Sequence, residues 1–345
     1  MKYSGIGGQA VMEGVMMKNG RDYAVAVRTP SGKIEINKDK TKGNRETVNK
    51  IPLVRGVVAF VDSLVLGIST LMLSASYYEE EFTGEKADDA ATEDAVEVDK
   101  AEVSQADAAQ SAEKEDATDE VVVHDKTLED DKAEGKEKKG QAIEIVVTVM
   151  ISTVVALALF LLLPYAVSKL LTNWIGYPSL LALIEGVVRV GVFILYVFAI
   201  SHMPDIKRVF MYHGAEHKCI NCIEHGLELN VENVKSSTRF HKRCGTSFLV
   251  IVLIISIIVF MFIRFDNNLI QLGCRLLLVP VIAGISYEFL RLAGRYDNWF
   301  VNALSKPGIW VQHLTTVEPE EEMIEVGIKS VEAVFDWKKF LDDYE

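Results

Sequence analysis

The sequence predicts a mainly α-helical polytopic membrane protein with about four transmembrane helices, one interfacial or re-entrant helix, and a small cytoplasmic α+β part built from the N- and C-terminal segments. Three observations support this fold class. The 345 residues are 49% hydrophobic although 25% are charged, and the mean hydropathy is nevertheless positive. Four stretches approach the roughly 20 apolar residues that a helix needs to cross a bilayer. Most of the charges lie outside those stretches.

The first 53 residues predict a β-rich cytoplasmic segment. AVAVRT and IEINKD flank the turn sequence PSGK, which is typical of two short strands, and GGQAVMEGVMM adds an apolar run with glycines. Residues 54–78 then predict an amphipathic helix that lies in the membrane interface, because Arg55 and Asp62 interrupt its apolar residues. The start of the chain has no long apolar core, so no signal peptide is expected.

Residues 79–140 form an acidic insert. They hold 23 of the 49 acidic residues and 8 of the 36 basic residues, a net charge of −15, whereas the rest of the chain carries +2. A nearly neutral body argues against a nucleic-acid-binding protein. The insert is rich in Glu, Asp, Ala and Lys and almost free of aromatic residues, so it predicts a disordered segment. It would act as a solvated spacer or as an acidic interaction segment.

The transmembrane helices are expected in two pairs, within 141–203 and within 246–290. The second helix carries Glu185 and Arg189 four residues apart, which predicts an ion pair on one helix face. Basic residues are concentrated near the N-terminus, in 204–245 and after the last helix. This asymmetry favours four spans in a bacterial inner membrane with both termini cytoplasmic, because a fifth span at 54–75 would place the basic N-terminus outside.

The C-terminal residues 291–345 predict a cytoplasmic strand and helix. IWVQHLTTVEP suggests a strand, and Pro319 begins a helix that runs to about Trp337 with acidic residues in its first turn. We expect this segment to pack with the N-terminal strands.

The residues that could bind a metal or catalyse a reaction are concentrated in the cytoplasmic loop 204–245. His213 and His217 lie four apart on one face of a predicted helix, and imidazole is a common ligand of transition metals. Glu216 lies between them in the order H-x-x-E-H and could act as a general base on water. Glu224 falls on the same face as the two histidines and is a candidate third ligand.

A second constellation competes for a metal. Cys219-x-x-Cys222 followed by His241-x-x-Cys244 resembles a Cys3His zinc site. In a continuous helix, however, the first two cysteines face away from His213 and His217. His241 and Cys244, at the entry to the third span, could instead complete the histidine site, as could Glu288 near the end of the fourth span.

The glycine-rich start of the chain allows two interpretations. Glycines permit close backbone approach, so that Gln9 and Glu13 are candidate site residues and Glu13 could reach the metal or a substrate. The alternative is a tight strand and turn packed under the membrane helices. The stretch lacks the Lys-Ser/Thr pair of a P-loop.

Several motifs in this order resemble the YqhQ-like family of bacterial membrane proteins, which are often labelled predicted metal-dependent enzymes. They are GGQAVMEGVMM (7–17), RG (55–56), YHGAEHK (212–218), HKRCGTSF (241–248), SYE (286–288), PG (307–308), QHLTT (312–316) and EP (318–319). The resemblance covers nearly all of the chain except the insert. It implies a bacterial inner-membrane location and a metal site at His213, Glu216, His217, His241 and Cys244. Lys242 departs from the family's usual Pro, and Cys219 is not a regular feature of the family.

Two functions from different classes follow. The first is an integral-membrane, metal-dependent enzyme of hydrolase type, with a divalent ion, zinc first among candidates, on His213 and His217. Cys244 or a carboxylate would be the third ligand, and Glu216 would activate water. A site at the cytoplasmic surface of the lipid bilayer suits a lipid-linked or membrane-peptide substrate. The second is a non-enzymatic assembly, regulatory or transport-related factor with a structural metal or polar cluster. Either is compatible with a homo-oligomer. An enzyme should keep an open coordination position, whereas a structural site should be closed by four protein ligands.

Overall fold

A computed structural model of the chain describes residues 2–41, 50–91, 121–125, 137–263, 265, 267–296 and 298–343. Its one sheet has the strand order β1-β2-β3-β4-β5, antiparallel except that β5 runs parallel to β4. The strands are β1 (Gly7–Val11), β2 (Gly14–Asn19), β3 (Asp22–Arg28), β4 (Ile34–Lys40) and β5 (Val121–Asp125). The expected hairpin around PSGK is β3 and β4.

The helices follow the chain from α1 to α11. They are α1 (Val54–Ala91), α2 (Glu137–Leu157), α3 (Leu163–Leu170), α4 (Pro178–Ile200), α5 (Pro204–Glu224), α6 (Val231–Ser236), α7 (Gly245–Phe262), α8 (Asn268–Arg295), α9 (Trp299–Thr315), α10 (Glu321–Val334) and α11 (Trp337–Asp342). A π-helical turn, Ala158–Leu162, joins α2 to α3.

Within the described residues, five helical segments are long and apolar enough to cross a membrane. They are Val54–Tyr78, Val147–Asn173, Ser179–Ile200, Gly245–Phe262 and Leu269–Arg295. The last four correspond to the four predicted spans, and the chain is a helical polytopic membrane protein with a small sheet from its N-terminal region.

The contacts of α1 bear on its predicted interfacial position. Arg55 at its start forms an ion pair with Glu288 near the end of α8. About six turns further along, the Tyr78 hydroxyl donates to the carbonyl of Arg28 on β3, 2.7 Å away. The helix therefore follows the sheet instead of leading away from it. Its uncovered apolar residues are Val61, Leu64, Val65, Ile68, Leu71 and Met72, which recur at helical spacing.

Two sequence-based predictions are wrong. The acidic insert is not uniformly disordered, because α1 continues to Ala91, α2 begins at Glu137, and three consecutive valines in β5 add a strand beside β4. The remaining insert residues, 92–120 and 126–136, lie outside the described part of the chain. The predicted strand in IWVQHLTTVEP is the last part of α9. Its buried positions recur with a helical period, because α9 packs along α7: Val301, Ser305, Gly308, Val311, Gln312 and Thr315.

The two ends of the chain share one core. Helix α10 lies on β2 and β3, and the hydroxyl of Ser330 donates to the carbonyl of Ala24. Val15, Ala24 and Ile324 are fully buried in the same cluster as the inner face of α5. The sheet is thus covered by α5 and α10 on one face and by the second half of α1 on the other.

An ion cluster ties the membrane helices together. The predicted Glu185–Arg189 pair is present at 2.8 Å. Arg275 of α8 joins it with contacts of 2.5 and 2.9 Å to the two carboxylate oxygens, and Arg189 also donates to the hydroxyl of Ser256 on α7. All three charged side chains are buried, so the cluster connects α4, α7 and α8.

Candidate metal centre

Helix α5 carries the central motif on a buried face. From Gly214 to Glu224 every residue is buried. Gly214 is required here, because a Cβ atom at this position would lie 2.1 Å from the carbonyl oxygen of Val317. The segment after α9 therefore passes directly over the helix, and the amide of Val317 donates to the carbonyl of Phe210.

Three predicted ligands meet in space. The ligand atoms of His213, His217 and Cys244 lie within 4.8 Å of one another, and His213 Nε2 is 3.2 Å from Cys244 Sγ. The histidines come from α5, and the cysteine is the N-cap residue of α7. The spacing of four in the sequence places the two imidazoles on one face, whereas only the fold brings Cys244 to them.

Both imidazoles are oriented by backbone carbonyls. His213 Nδ1 is 2.8 Å from the carbonyl oxygen of Thr315, and His217 Nδ1 is 2.6 Å from that of Arg239. A carbonyl only accepts, so both Nδ1 atoms carry a proton, and each Nε2 can offer its lone pair to a metal ion that displaces any proton bound there. Such outer contacts are typical of histidines that bind metals.

The electrostatics of the cluster favour a thiolate. Burial raises the pKa of Cys244, but the adjacent His213 and His217 outweigh it and hold that pKa well below its ordinary value. Burial lowers the pKa of His213, whereas the Cys244 thiolate raises it, with a net value of about 9. The amide of Thr246 at the start of α7 also donates to the sulfur.

Glu216 lies beside this cluster and next to β1. It is 5% exposed, and burial raises the pKa of its carboxyl group although the two histidines lower it. The nearby backbone amide of Gly8 also lowers that pKa. A Cβ on Gly8 would lie 2.9 Å from Glu216 Cγ, so the missing side chain at position 8 makes room for the carboxylate.

A cavity of about 600 Å³ opens onto the cluster. His213, Glu216 and Cys244 all line it. Its other walls are β1 and the ends of the membrane helices α4 and α7, through Gly8, Gln9, Ala10, Phe193, Tyr196 and Leu249. Two of the three candidate ligands, His213 and Cys244, are therefore accessible from one side, whereas His217 is buried behind them.

The other predicted site residues lie outside the cluster. His241 Nε2 is 3.5 Å from Glu224, and Glu224 also binds Arg243, so these two predicted ligands pair with each other. Glu288 pairs with Arg55 at the start of α1. Glu288, His241 and Glu224 are absent from the metal-ligand group among the described residues.

The glycine-rich motif proves to be the β1–β2 hairpin. Glu13 lies in its two-residue turn and binds Arg208 and the hydroxyl of Tyr212, and it is outside the group of three candidate metal ligands. Gln9 donates to the carbonyl of Gly67 on α1 and also lines the cavity.

The competing Cys3His site is not formed. Cys219 is packed in the α+β core with Gly327, whose Cβ position would be 3.0 Å from its sulfur. Cys222 Sγ is 3.4 Å from the carbonyl oxygen of Glu228. As the helical period predicted, both cysteines face away from the two histidines.

Sequence reasoning missed the residues that hold the cluster in place. Gln312 is fully buried; its Oε1 accepts from the amide of His241, and its Nε2 donates to the carbonyl of His241 and to Ser247. It therefore anchors the loop that ends in Cys244. The sequence held two signals, a polar residue inside the apolar stretch IWVQHL and the place of Gln312 in the motif QHLTT.

The chain is similar to known sequences along most of its length. Residues 51–337 match a family described as a protein of unknown function (DUF1385). The chain is also 31% identical over 331 residues to the uncharacterised protein YqhQ of Bacillus subtilis (strain 168), which covers 94% of this chain and 90% of that protein. No solved structure gives a significant match. The chain therefore belongs to the DUF1385 family, in agreement with the YqhQ-like motifs of its sequence.

Proposed function

We propose that this protein is an integral-membrane, metal-dependent hydrolase whose divalent ion, zinc first among candidates, is bound by His213, His217 and Cys244. The observation that carries the proposal is the convergence of these three ligand atoms within 4.8 Å, beside an open cavity that His213 and Cys244 line. Three protein ligands with one accessible side are typical of catalytic rather than structural zinc.

The residues fit such an ion. Zinc–sulfur and zinc–nitrogen distances of about 2.3 and 2.0–2.1 Å at a tetrahedral angle place the two ligand atoms about 3.6 Å apart. The sulfur and Nε2 of His213 are 3.2 Å apart, within a few tenths of an ångström of that spacing, and all three ligand atoms lie within 4.8 Å of one another. The orientation of both imidazoles and the stabilised thiolate match the same ligand set.

Glu216 is the proposed general base. A divalent ion in this site would supply Lewis acidity toward a carbonyl or phosphoryl group and toward water. Glu216 would take a proton from water and return it to the leaving group. Its burial and its raised pKa bring its proton affinity closer to neutral pH, where a general base works best.

The location follows from the membrane helices. The cavity lies where α4 ends and α7 begins, so the site would be at the surface of the bilayer. The positive-inside asymmetry of the sequence supports the cytoplasmic side of the cell membrane, with both termini cytoplasmic.

Elemental analysis of detergent-purified protein tests the metal site. The wild type should contain about one equivalent of zinc, manganese or iron, and the His213→Ala/His217→Ala variant should lose it. His225→Ala is the matched control, because His225 ends the same helix but bonds only within it, and it should keep the metal. Equal metal content in all three proteins, or none after metal is added back, would refute the site.

Glu216→Gln then separates the base from the ligands. It should leave the metal content unchanged, because Glu216 lies outside the ligand group, and it should fail to complement a strain that lacks the gene. Full complementation would exclude the general-base role.

A second candidate rests on the short contact between Cys244 Sγ and His213 Nε2. Without a metal, these two groups would form a thiolate–imidazolium pair at a helix N-terminus, as in cysteine-nucleophile hydrolases. Rapid alkylation of Cys244 by iodoacetamide in metal-free wild type, together with activity that survives chelation, would favour this candidate over the metal enzyme.

A further inference from the structure

Strand β1 has an open edge beside the proposed site. It is the first strand of the sheet and pairs only with β2 among the described strands. Gly7 and Gly8 are exposed, and Gln9 and Ala10 are half-buried. Proteins usually protect such edges with charges, prolines or a covering element, whereas here the edge carries two glycines and faces a cavity.

The register of the hairpin defines which backbone groups point outward. A two-residue turn joins β1 to β2, so Val11 and Gly14 form a hydrogen-bonded pair. Bonded and non-bonded pairs alternate along an antiparallel ladder. Gly8 and Ala10 are therefore non-bonded positions, and their N–H and C=O groups point away from β2.

These outward groups lie inside a groove. The cavity at the metal cluster is lined by Gly7, Gly8, Gln9 and Ala10. A second cavity of about 460 Å³ is lined by Gly7, Gly8 and Gln9 as well, so empty space follows the strand past both glycines. Glycine in a strand often marks a position where another backbone approaches closely.

We infer that β1 is the substrate-binding strand of the proposed hydrolase and that its substrate is an extended, apolar polypeptide segment, which adds to the sheet at Gly8 and Ala10. The inference rests on the proposed function and specifies its substrate class. The outward donors and acceptors at Gly8 and Ala10 recur every second residue, about 6.6–6.8 Å apart, which is the repeat of a polypeptide backbone. A lipid chain has no groups to match them.

The remaining walls suit a segment that comes from the membrane. Phe193, Tyr196 and Val197 of α4 and Leu249 of α7 line the same cavity, and all four belong to candidate spans. Apolar side chains of a bound segment would face these residues while its backbone pairs with β1.

Glu216 lies against the strand, because a Cβ at Gly8 would be 2.9 Å from its Cγ, and it would be close to the backbone of such a segment. Hydrolysis would form a bond between the oxygen of water and the peptide carbonyl carbon and break the C–N bond. Glu216 would carry a water proton to the leaving nitrogen, so that a carboxylic acid and an amine result and no oxidant or reductant is needed.

Binding of synthetic hydroxamates to the zinc-loaded, detergent-solubilised protein tests the inference. The probes are an N-acetylated Leu/Ala hexapeptide hydroxamate, the same peptide with alternate backbone nitrogens methylated, and an alkyl hydroxamate of equal length. We expect the peptide to bind at least tenfold more tightly than the alkyl compound, and methylation in the register that faces β1 to remove this advantage.

Ala10→Pro tests the protein side of the same contact. Proline removes the outward N–H of residue 10 but no bond of the β1–β2 ladder, and Ala10→Ser retains that N–H as a control. The peptide's advantage should fall at least fivefold in Ala10→Pro and persist in Ala10→Ser, with the zinc content of both unchanged. If Ala10→Pro loses zinc or fails to fold, the methylated peptide still decides the question.

The outcomes separate the two proposals. Equal or tighter binding of the alkyl hydroxamate would overturn the peptide inference in favour of a lipid substrate and leave the metal enzyme intact. Absence of zinc, or of binding by all three hydroxamates, would refute the metal-dependent hydrolase itself.

Discussion

Neighbouring glycines in β1 offer a direct test of the packing around Glu216. A Cβ at Gly8 would lie 2.7 Å from the carbonyl oxygen of Met16, 2.9 Å from Glu216 Cγ and 2.9 Å from Met17 Sδ. A Cβ at Gly7 would meet nothing within 4 Å. Gly8→Ala should therefore strain the protein, and Gly7→Ala should not.

The expected magnitude follows from these contacts. The side chains of Glu216 and Met17 can move, but the Met16 oxygen belongs to the paired strand and cannot rotate away. Overpacking of this kind costs about 1–3 kcal/mol in the free energy of unfolding. Gly7→Ala should change that free energy by no more than about 0.5 kcal/mol, or raise it slightly because the unfolded chain loses conformational freedom.

Thermal unfolding of the two variants beside the wild type, followed by tryptophan fluorescence in detergent, measures the difference. At about 2–4 °C per kcal/mol, a cost of about 2 kcal/mol, the middle of the range for overpacking, places Gly8→Ala about 4–8 °C below Gly7→Ala. The reasoning would be refuted if the two unfolding temperatures lay within 1–2 °C of each other. Position 8 would then have more room than the structure assigns to it, and Glu216 would not be held against β1.

Other substitutions test the cluster and its supports. Cys244→Ser should keep the N-cap of α7, because serine is a favourable cap, yet bind zinc at least about 100-fold more weakly in competition with a chromophoric chelator because the thiolate is lost; unchanged affinity would exclude Cys244 as a ligand. Gln312→Leu should lower the free energy of unfolding by about 2–4 kcal/mol, because three buried hydrogen bonds are lost, and should weaken zinc binding about 10- to 100-fold; a stability equal to that of the wild type would contradict the anchoring role. Burial raises the pKa of Glu224, but His241 and Arg243 outweigh it and lower that pKa to about 2, so Glu224 stabilises the fold above pH ~4.5 and this contribution is lost as the pH falls toward 2. Unfolding measured at pH 7, 5 and 3 should show a smaller acid-induced loss in Glu224→Gln than in the wild type, and identical losses would remove Glu224 as its source.

Hydropathy and helical spacing were sufficient for most of the fold. Each predicted span is a helix because uninterrupted apolar residues at bilayer length leave few other solutions. The strand predicted in IWVQHLTTVEP failed for a local reason: its β-branched residues favour a strand, but packing of α9 on α7 buries every third or fourth residue. The strand at Val121–Asp125 was not predicted, because the acidic composition of the whole insert indicates disorder and three valines are too few to change that average.

The candidate site, like the fold, could be predicted from the sequence only in part. The spacing of His213 and His217 predicts a shared face, since four residues are nearly one helical turn. The third ligand could not be chosen, because four residues were compatible with the sequence: His241, Cys244, Glu224 and Glu288. Only the path of the loop from α6 to α7, held by Gln312, decides that Cys244 reaches the histidines.

The buried cluster of Glu185, Arg189 and Arg275 also has a consequence for the biogenesis of the protein. Each of these side chains alone would cost about 2.5–3.5 kcal/mol at the centre of an inserting helix. Arg275 lies on α8 and its carboxylate partner on α4, about 90 residues earlier in the chain. Until α8 has been synthesised, α4 has only the pair between Glu185 and Arg189. When α8 then enters the membrane, its Arg275 has no partner from the cluster on its own helix. Release of the two helices into lipid one at a time would expose that arginine, so we expect the insertion machinery to hold α4 until α8 emerges and to release the two helices together.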